Sequence, residues 1–317
     1  MHRFSVARQW LDVMVHNFSV MDDLFAQGGL SLERLRTFCL IVEHGGFTRA
    51  ARGDAAKQPL YSRQLKELES FFGTELVRRS GKSFALNDEG RRLYELARSY
   101  FGALSDFKNA CSNRSIHIHL GAGDSIIQWH ILPKLADIRN ALPNTVLKLL
   151  NLPTEQIVDR VASGDLDLGV VRQTAVKGDL KSHVLGKLEF ALFAPIRYAN
   201  NNWESTLRSC PLVLLEGSGE FRKELEKAAL KEQFQPRIEV ECASFPAVAT
   251  AMKSAGLAGI LPLAAADELG TRSFVRQEAS WLQKLGRQMT LIASRRTLTL
   301  RPDLEMIAKE LVGLLRA

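Results

Sequence analysis

Apolar positions recur at helical spacing from Ser31 onward. Leu35, Phe38 and Val42 repeat every three or four residues, Ser31 precedes them as a candidate helix cap, and Gly45 ends the series. This pattern predicts a first helix that buries one apolar face and is closed by a tight turn.

Two more helices are predicted close behind the first. The spacing indicates a short helix over 47–52 and a longer one from about Gln58, with Leu65 and Leu68 on its inward face. Pro59 lies in the first turn of the longer helix, where a missing N–H is harmless. Three short helices joined by tight turns are typical of a helix-turn-helix unit.

A hairpin and a long helix are predicted next. Residues 75–86 indicate two short strands around a turn at Ser80-Gly81, the shape of a wing, and Asn87 or Asp88 then caps a long helix. Apolar residues in this helix step by four and three, as in a coiled-coil seam: Leu93, Ala97, Tyr100, Leu104 and Phe107. The seam predicts a dimer-forming linker helix; the alternative is a helix packed on its own domain.

Strands and helices alternate beyond a polar hinge at 111–115. The order strand–helix–strand–helix–strand over 116–171 implies a parallel sheet, and a second set follows over 190–261. A strand near 289–293 and a closing helix near 304–315 can return to the first sheet. The pattern predicts two α/β lobes joined by crossovers near 188 and 288, with a cleft between them for a small ligand.

Composition narrows the class of protein only slightly. Hydrophobic residues make up 46% and charged residues 24%, which is ordinary for a globular protein, and the net charge of +7 permits nucleic-acid binding without demonstrating it. The four cysteines are scattered and form no C-x-x-C pair, which argues against zinc or a disulfide framework. No apolar run is long enough for a membrane helix, and polar residues interrupt any signal peptide in the first 30 residues, so we expect a cytoplasmic protein.

The candidate DNA-reading residues lie at the start of the third helix and in the wing. In a helix-turn-helix the N-terminal end of the second helix enters the major groove, where Gln and Arg can pair with base edges. Cations in the wing contact phosphates and give affinity without sequence preference. The predicted DNA-binding residues are Lys57, Gln58, Pro59, Ser62, Arg63, Arg78, Arg79 and Lys82.

These motifs resemble the LysR family of bacterial transcription regulators. The resemblance is carried by Leu35-Arg36-Thr37-Phe38, Gly46-Phe47-Thr48-Arg49-Ala50-Ala51, Gln58-Pro59, residues 62–69, 72–79 and 86–90, and more weakly by Leu132-Pro133, 164–169 and 256–262. It covers about residues 32–315. It implies a homodimer or homotetramer that binds a double-stranded DNA operator and is switched by a small-molecule effector, with RNA polymerase as a further candidate partner.

The predicted fold is therefore multidomain: an N-terminal all-α winged helix-turn-helix, a long linker helix, and a C-terminal α/β two-lobe effector domain like the type II periplasmic binding proteins. The expected boundaries are 1–29 for an N-terminal extension, 30–88 for the DNA-binding domain, 89–110 for the linker helix, and 111–317 for the effector domain. In that domain, lobe I takes 116–188 and 289–317 and lobe II takes 189–288. An early start codon is the alternative reading of the extension, since Met21 could also serve.

Three positions depart from the family pattern. Asp54 stands where an aliphatic core residue is usual, Lys57 where Ser or Thr caps the recognition helix, and Tyr61 where an aliphatic residue is usual. Losing a Ser or Thr cap costs about 1 kcal/mol of helix stability. The departures bear on the strength and sequence preference of DNA binding more than on the fold.

For the effector, the resemblance points to loops that follow strands of both lobes. Hydroxyl groups and helix N-termini there suit an anion, whereas Asp124 and Glu216 oppose one, so the charge of the effector stays open. Ordinary loop capping is the alternative role for each residue. The predicted effector-binding residues are Asp124, Ser125, Asn151, Thr154, Arg172, Ser244 and Phe245.

Other chemistry is weakly signalled. His117 and His119 alternate along one strand but lack a third metal ligand, Gly121-Ala122-Gly123 is no dinucleotide fingerprint, and the sequence shows no catalytic constellation. We therefore expect no metal, no cofactor and no enzymatic activity. Two alternatives stay open: a two-lobe solute-binding protein or enzyme with an unrelated N-terminal appendage, and a family member that dimerises without binding DNA.

Overall fold

The protein divides into two units, one up to Phe101 and one from Gly102 onward. The computed structural model describes residues 24, 26, 28–54, 56–80, 83–112, 114–217 and 219–316. Most of the predicted N-terminal extension, and Lys82 in the wing, lie outside these described residues.

The first unit contains the predicted three helices and hairpin. Its elements are α1 (Leu32–Glu43), α2 (Phe47–Ala50), α3 (Lys57–Phe72), β1 (Val77–Ser80), β2 (Ser83–Leu86) and the beginning of α4 (Asp88–Cys111). The short α2 ends before residue 52 because Arg52 takes a positive φ of 49°. The domain thus has a two-stranded wing beside its helices, and "all-α" describes its helical part alone.

Side-chain caps begin two of these helices. The Ser31 hydroxyl accepts the Arg34 amide at 3.1 Å, as predicted, and Asn87 rather than Asp88 accepts the Gly90 amide at 2.7 Å. Gly90 is buried where α4 passes the start of the wing, and a Cβ built there would lie 1.9 Å from the carbonyl oxygen of Leu76. Only glycine fits at this crossing.

The core of the first unit joins all of its helices. Phe38 and Ile41 of α1 meet Leu65 and Leu68 of α3, and all four are fully or almost fully buried. The first half of α4 adds four more side chains to the same core: Leu93, Tyr94, Ala97 and Phe101. The beginning of the predicted linker helix is therefore an integral part of this unit.

The second unit is built on two five-stranded sheets, as the alternating pattern predicts. The first sheet has the order β4-β3-β5-β12-β6 and the second has the order β11-β7-β10-β8-β9. The strands are β3 (Ile116–Ala122), β4 (Thr145–Asn151), β5 (Leu168–Arg172), β6 (Leu180–Leu188), β7 (Phe190–Pro195), β8 (Leu212–Leu215), β9 (Ile238–Cys242), β10 (Ala258–Pro262), β11 (Phe274–Gln277) and β12 (Arg287–Ser294).

Helices cover both sheets. They are α5 (Asp124–Ile126), α6 (Leu135–Ala141), α7 (Thr154–Ala162), α8 (Trp203–Ser209), α9 (Glu220–Lys231), α10 (Phe245–Ala255), α11 (Ala266–Leu269), α12 (Arg295–Leu300) and α13 (Pro302–Leu315). In the first sheet β3 pairs in parallel with β4 and β5, and in the second β8 pairs in parallel with β9 and β10. The chain passes between the sheets at Glu189 and again over 278–286.

One predicted helix differs in kind from the expected one. The helix that the alternating pattern predicts after β3 is irregular: a π-helical turn over Ile127–Ile131 and a 3₁₀ turn over Leu132–Lys134 come before α6. Pro133 has no N–H to donate, so a regular α-helix cannot pass through this point unbroken. Strands β6 and β11 and helices α8 and α12 were not predicted.

A buried ion cluster holds the second half of α4 to the effector unit. Arg301 donates from Nε to Asp106 Oδ2 at 2.5 Å and from a second nitrogen to Asp167, and the guanidinium side chain is only 7% exposed. Asp167 also accepts the His119 amide at 2.6 Å. Gly102 makes room for the cluster, because a Cβ there would lie 3.2 Å from Cδ of Arg301.

Candidate nucleic-acid interface and effector site

Helix α3 begins without a side-chain cap, because the residue before it is Ala56. Asp54 Oδ1 accepts the Ala56 amide at 3.0 Å, and Asp54 Oδ2 lies 3.2 Å from the Lys57 ammonium. The hydrogen bond from Lys57 holds the pKa of Asp54 below its ordinary value. Two of the three departures from the family pattern are therefore partners: Asp54 is exposed and organises the turn that a capping hydroxyl would otherwise secure.

The surface of α3 separates the predicted readers from the core. Lys57, Gln58, Pro59 and Arg63 are exposed and Ser62 is half-buried. On the opposite side Gln64, Leu65 and Leu68 are buried, and Tyr61 packs against the core of the unit. The third departure, Tyr61, thus fills an apolar place, and the predicted readers share the outer surface.

The wing is fixed at both ends. Phe84 of β2 stacks edge-on against Phe47 of α2, with ring centroids 6.1 Å apart, and Glu69 of α3 accepts the Leu76 amide at 2.9 Å. Arg78, on β1, is exposed. Of Arg79 only the backbone is described, and Lys82 lies outside the described residues.

The predicted dimerisation residues fall into two groups. Ala97 is 3% exposed and Leu93 packs beside it, so both belong to the core of their own domain, as the alternative for this helix proposed. Tyr100 and Leu104 are exposed. With Leu96 and Phe107 they form an apolar row on α4, here called the α4 stripe, whose members are 41% to 70% exposed.

The five predicted effector residues of the first lobe lie at one edge of its sheet. Strand register places Ala122, at the end of β3, beside Asn151 at the end of β4, and β5 ends at Arg172 in the same direction. The turn after β3 begins with Asp124 and Ser125, and Thr154 is the first residue of α7. Asn151 is exposed and the other four are half-buried.

The second-lobe residues lie at the corresponding edge of the other sheet. Ser244 follows β9 and accepts the Ala247 amide at 3.2 Å, so its oxygen caps α10, the alternative role considered for it. Phe245 packs against Phe190 and Phe221, with ring centroids 5.7 Å and 5.2 Å away. The turn Asp124–Ile126 contacts α10, which brings the predicted residues of the two lobes to neighbouring elements.

Two cavities lie away from these residues. One, of about 290 Å³, is bordered by Glu189, Phe190 and Leu263 and by the segment 276–283. A much smaller one, of about 30 Å³, has apolar walls and includes His130. Burial holds the pKa of His130 below its ordinary value. Neither cavity contains a predicted effector residue.

Among the described residues no group of three or more His, Cys, Asp and Glu side chains is placed to hold a metal ion, and Nδ1 of His119 lies 3.3 Å from Oδ2 of Asp167. Sequence reasoning missed Trp129, Asp106 and Arg301, whose partners lie far away in the chain. No described helix is long and apolar enough to cross a membrane.

Comparison with known proteins now decides the family. Residues 32–91 match the family of bacterial regulatory helix-turn-helix proteins of the lysR type, and residues 113–308 match the LysR substrate binding domain. The chain belongs to the LysR family. It is a DNA-binding transcriptional regulator with a substrate-binding domain, and regulators of this family are not enzymes.

Individual LysR-type relatives extend over most of the chain. YfeR of Shigella flexneri, an uncharacterized HTH-type transcriptional regulator, is 26% identical over 243 residues, covering 73% of this chain and 78% of its own. Full-length LysG of Corynebacterium glutamicum, solved with bound effector Arg, covers 91% of this chain and all of its own with a TM-score of 0.64 at 16% identity. DarR of Vibrio fischeri, solved with DNA, covers 90% of this chain and 99% of its own, with a TM-score of 0.53 at 16% identity. These two structures establish likeness of fold.

Proposed function

We propose that the first turns of α3 read the operator in the major groove, where Gln58, Ser62 and Arg63 contact base edges. Lys57 and Pro59, at the first residues of the helix, contact the DNA where the helix enters the groove. The observation that carries this proposal is the outer surface of α3, where Arg63 keeps 70% of its side-chain surface. Gln and Arg can each make paired hydrogen bonds, to adenine and guanine respectively. This surface supplies such donors and acceptors on an otherwise rigid helix.

Phosphate contacts are proposed for the wing. Arg78 is exposed on β1, and Arg79 and Lys82 continue the basic sequence around the turn. Cations at phosphates add affinity that falls as salt rises. Replacing Arg78 by Ala should lower binding to all sequences alike and reduce the slope of log affinity against log salt by about one.

The reading role is tested by Arg63→Ala. Its ion pair with Glu67, at 3.8 Å and exposed, is too weak to hold the side chain away from a base. We expect the loss of Arg63 to weaken operator binding by about 1–3 kcal/mol and to relax sequence preference, measured by titration of operator and scrambled DNA. Arg272→Ala, which removes an exposed charge from the effector unit, is the matched control. Equal losses in both variants would refute the role.

We propose that two copies associate through the α4 stripe. The row steps by four, four and three residues, which keeps Leu96, Tyr100, Leu104 and Phe107 along one face of the helix. Association of a second copy lowers the free energy, because it removes the apolar side chains of this row from water. Leu93 and Ala97 pack inside their own domain and are not part of this surface.

We propose that a small-molecule effector binds at the facing strand ends, touching Ser125 and Thr154. Parallel α/β sheets place ligands at the carboxyl ends of their strands, where loops meet helix N-termini. Both hydroxyls are half-buried at that edge, and Phe245 offers an apolar surface on a neighbouring element. LysG, a regulator of the same fold, is known with a bound effector.

This site is tested with the metabolite that most raises the melting temperature in a screen. Ser125→Ala and Thr154→Val should each weaken its binding about tenfold or more in calorimetry, because a hydrogen bond to a charged ligand is lost. Thr145→Val, at the opposite end of β4, is the control. Unchanged affinity in both site variants would place the effector elsewhere. We also propose a cytoplasmic location, because a transcriptional regulator with a bacterial helix-turn-helix domain acts where the DNA is.

A further inference from the structure

Trp129 belongs to the chain of the first lobe but packs in the second. It lies in the π-helical turn Ile127–Ile131, directly after the turn that begins with Asp124 and Ser125. The indole is 8% exposed and belongs to the apolar core that covers the second sheet, with members such as Val248 and Met252 of α10. A side chain from one lobe is thus buried in the core of the other.

The polar edge of the indole is also held by the second lobe. Nε1 of Trp129 donates to Glu268 Oε2 at 2.8 Å, and Lys253 donates to the other carboxylate oxygen at 2.9 Å. Burial opposes ionisation of Glu268, but the hydrogen bonds from Trp129 and Lys253 outweigh it and keep its pKa below the ordinary value. The indole N–H therefore has a charged acceptor, the stronger kind of hydrogen bond.

The two residues that follow Trp129 in the π-helical turn stay with the first lobe, whereas Gln128, before it, also hydrogen-bonds Glu268. Ile131 is fully buried and borders the small cavity beside Val170 and Leu185 of the first lobe. His130 borders the small cavity together with Leu185 and Met289, from β6 and β12, the two strands of the first sheet that adjoin the crossovers. Neighbouring residues of one turn are thus anchored in different lobes, Trp129 in the second and His130 and Ile131 in the first.

We propose that Trp129 is a positioning residue that tethers the Asp124–Ser125 loop to the second lobe. Any movement of the second lobe relative to the first either carries the loop with it or breaks a buried indole hydrogen bond. A buried donor left without an acceptor is costly, so the loop follows the second lobe. The contacts of Trp129 with the second lobe do not depend on the proposed effector site. Only the role of the tether in effector binding rests on that proposed site.

The tether is tested in the full chain without effector, by hydrogen–deuterium exchange. Trp129→Phe keeps an aromatic ring in the pocket but removes the N–H. We expect amides of 124–131 and 266–269 to exchange about tenfold faster in this variant. Trp203→Phe, which alters another partly buried tryptophan of the same unit, is the matched control and should leave both segments unchanged.

Variants at the acceptor separate a specific tether from general packing. Glu268→Gln retains an oxygen that can accept the indole N–H and should largely preserve slow exchange. Glu268→Leu should speed exchange at least as much as Trp129→Phe, because it also removes the acceptor of Lys253 and Gln128. Combining Trp129→Phe with Glu268→Leu should give less than the sum of the two single effects, because both remove the bond from Trp129 to Glu268. Additive effects, equal behaviour of Gln and Leu, or the same exchange in both tryptophan variants would each overturn the proposal.

One further measurement distinguishes this inference from the proposed effector site. The affinity of the metabolite found by thermal screening is compared between the natural protein and Trp129→Phe. Faster exchange with weaker binding supports both the tether and the site. Faster exchange with unchanged binding supports the tether and counts against Asp124–Ser125 as the effector loop.

Discussion

The two halves of helix α4 are held in place mainly by different kinds of interaction. Up to Phe101 the helix is fixed mainly by apolar side chains, with Tyr94 and Ala97 buried in the core of the DNA-binding unit, beside a half-exposed ion pair between Arg98 and Glu43. From Gly102 onward it is fixed by charge, through the buried pair of Asp106 and Arg301. One continuous helix therefore joins an apolar attachment at one end to an ionic attachment at the other.

The two attachments should respond differently to mutation. The stability lost when an apolar contact is altered grows in proportion to the buried surface or volume that the mutation removes, so these losses are gradual. A buried ion cluster fails abruptly, because removing one partner leaves the others charged in a poorly solvating place. The carboxylates of Asp106 and Asp167 share one guanidinium, so Arg301 is the member whose loss matters most.

The largest effect is expected for Arg301→Met. With the cation gone, Asp106 and Asp167 stay buried without a counter-charge, and we expect about 3–5 kcal/mol less stability in the effector unit. Denaturant unfolding, followed by exchange rates in each unit, measures it. Arg295→Met breaks an exposed pair with Asp179 and should cost almost nothing. If the two variants are equally stable, the ionic attachment is unimportant.

The second effect concerns the outward surface of the same helix. Leu104→Asp places a charge in the α4 stripe, and we expect dimer association to weaken by about 1.5–3 kcal/mol, the value of burying one large apolar side chain. Sedimentation over a concentration series measures the change. Leu132→Asp, at a position of similar exposure in the 3₁₀ turn, is the control. A stripe variant as dimeric as this control would show that the two copies meet elsewhere.

A somewhat smaller effect is expected inside the apolar attachment. Ala97→Leu forces extra volume into a packed core and should cost about 1–3 kcal/mol, confined to the DNA-binding unit. The control is Ala110→Leu, which enlarges an exposed residue near the end of the same helix. Exchange measured unit by unit checks the confinement. Destabilisation of the effector unit instead would mean that the halves are not separately attached.

The smallest effect is a difference in acid sensitivity. Burial opposes the ionisation of Asp167, but hydrogen bonds from His119 and the charge of Arg301 outweigh it, so its pKa lies below the ordinary 3.8. A carboxyl with a lowered folded-state pKa stabilises fully above its unfolded pKa, and this contribution fades as pH falls through the folded value. The effector unit should therefore lose stability below about pH 4, measured by urea unfolding. In Asp167→Asn this acid-dependent part should shrink; an unchanged acid profile would contradict the assignment.

Local patterns predicted much of this fold. The caps Ser31 and Asn87, the inward face of α3 and the parallel order of β3, β4 and β5 follow from spacing that each segment carries by itself. The edge strand β6 was missed because its mixed sequence, Leu180–Leu188, offers few apolar positions in a row. Edge strands need less burial and leave a weaker trace in the sequence.

Features that depend on distant partners were not predictable. Arg301 and Asp106 are separated by 195 positions, and no local spacing connects them. Trp129, in the π turn, bonds to Glu268 in the other lobe, 139 positions away. The heptad spacing in α4 could not separate core residues from surface residues. Ala97 is buried in its own domain and Leu104 is exposed, although the two positions are one heptad apart.

Gly90 carries a consequence for the genetics of this regulator. Every missense change of its codon supplies a side-chain carbon where the Leu76 carbonyl already stands. The start of the wing and the start of α4 would have to separate, although no side chain proposed to contact DNA or effector had altered. In a screen for loss of regulation, such alleles should therefore be recovered at a position that itself contacts no ligand. Their suppressors should lie in the segment joining α3 to β1, the part of the chain able to move aside.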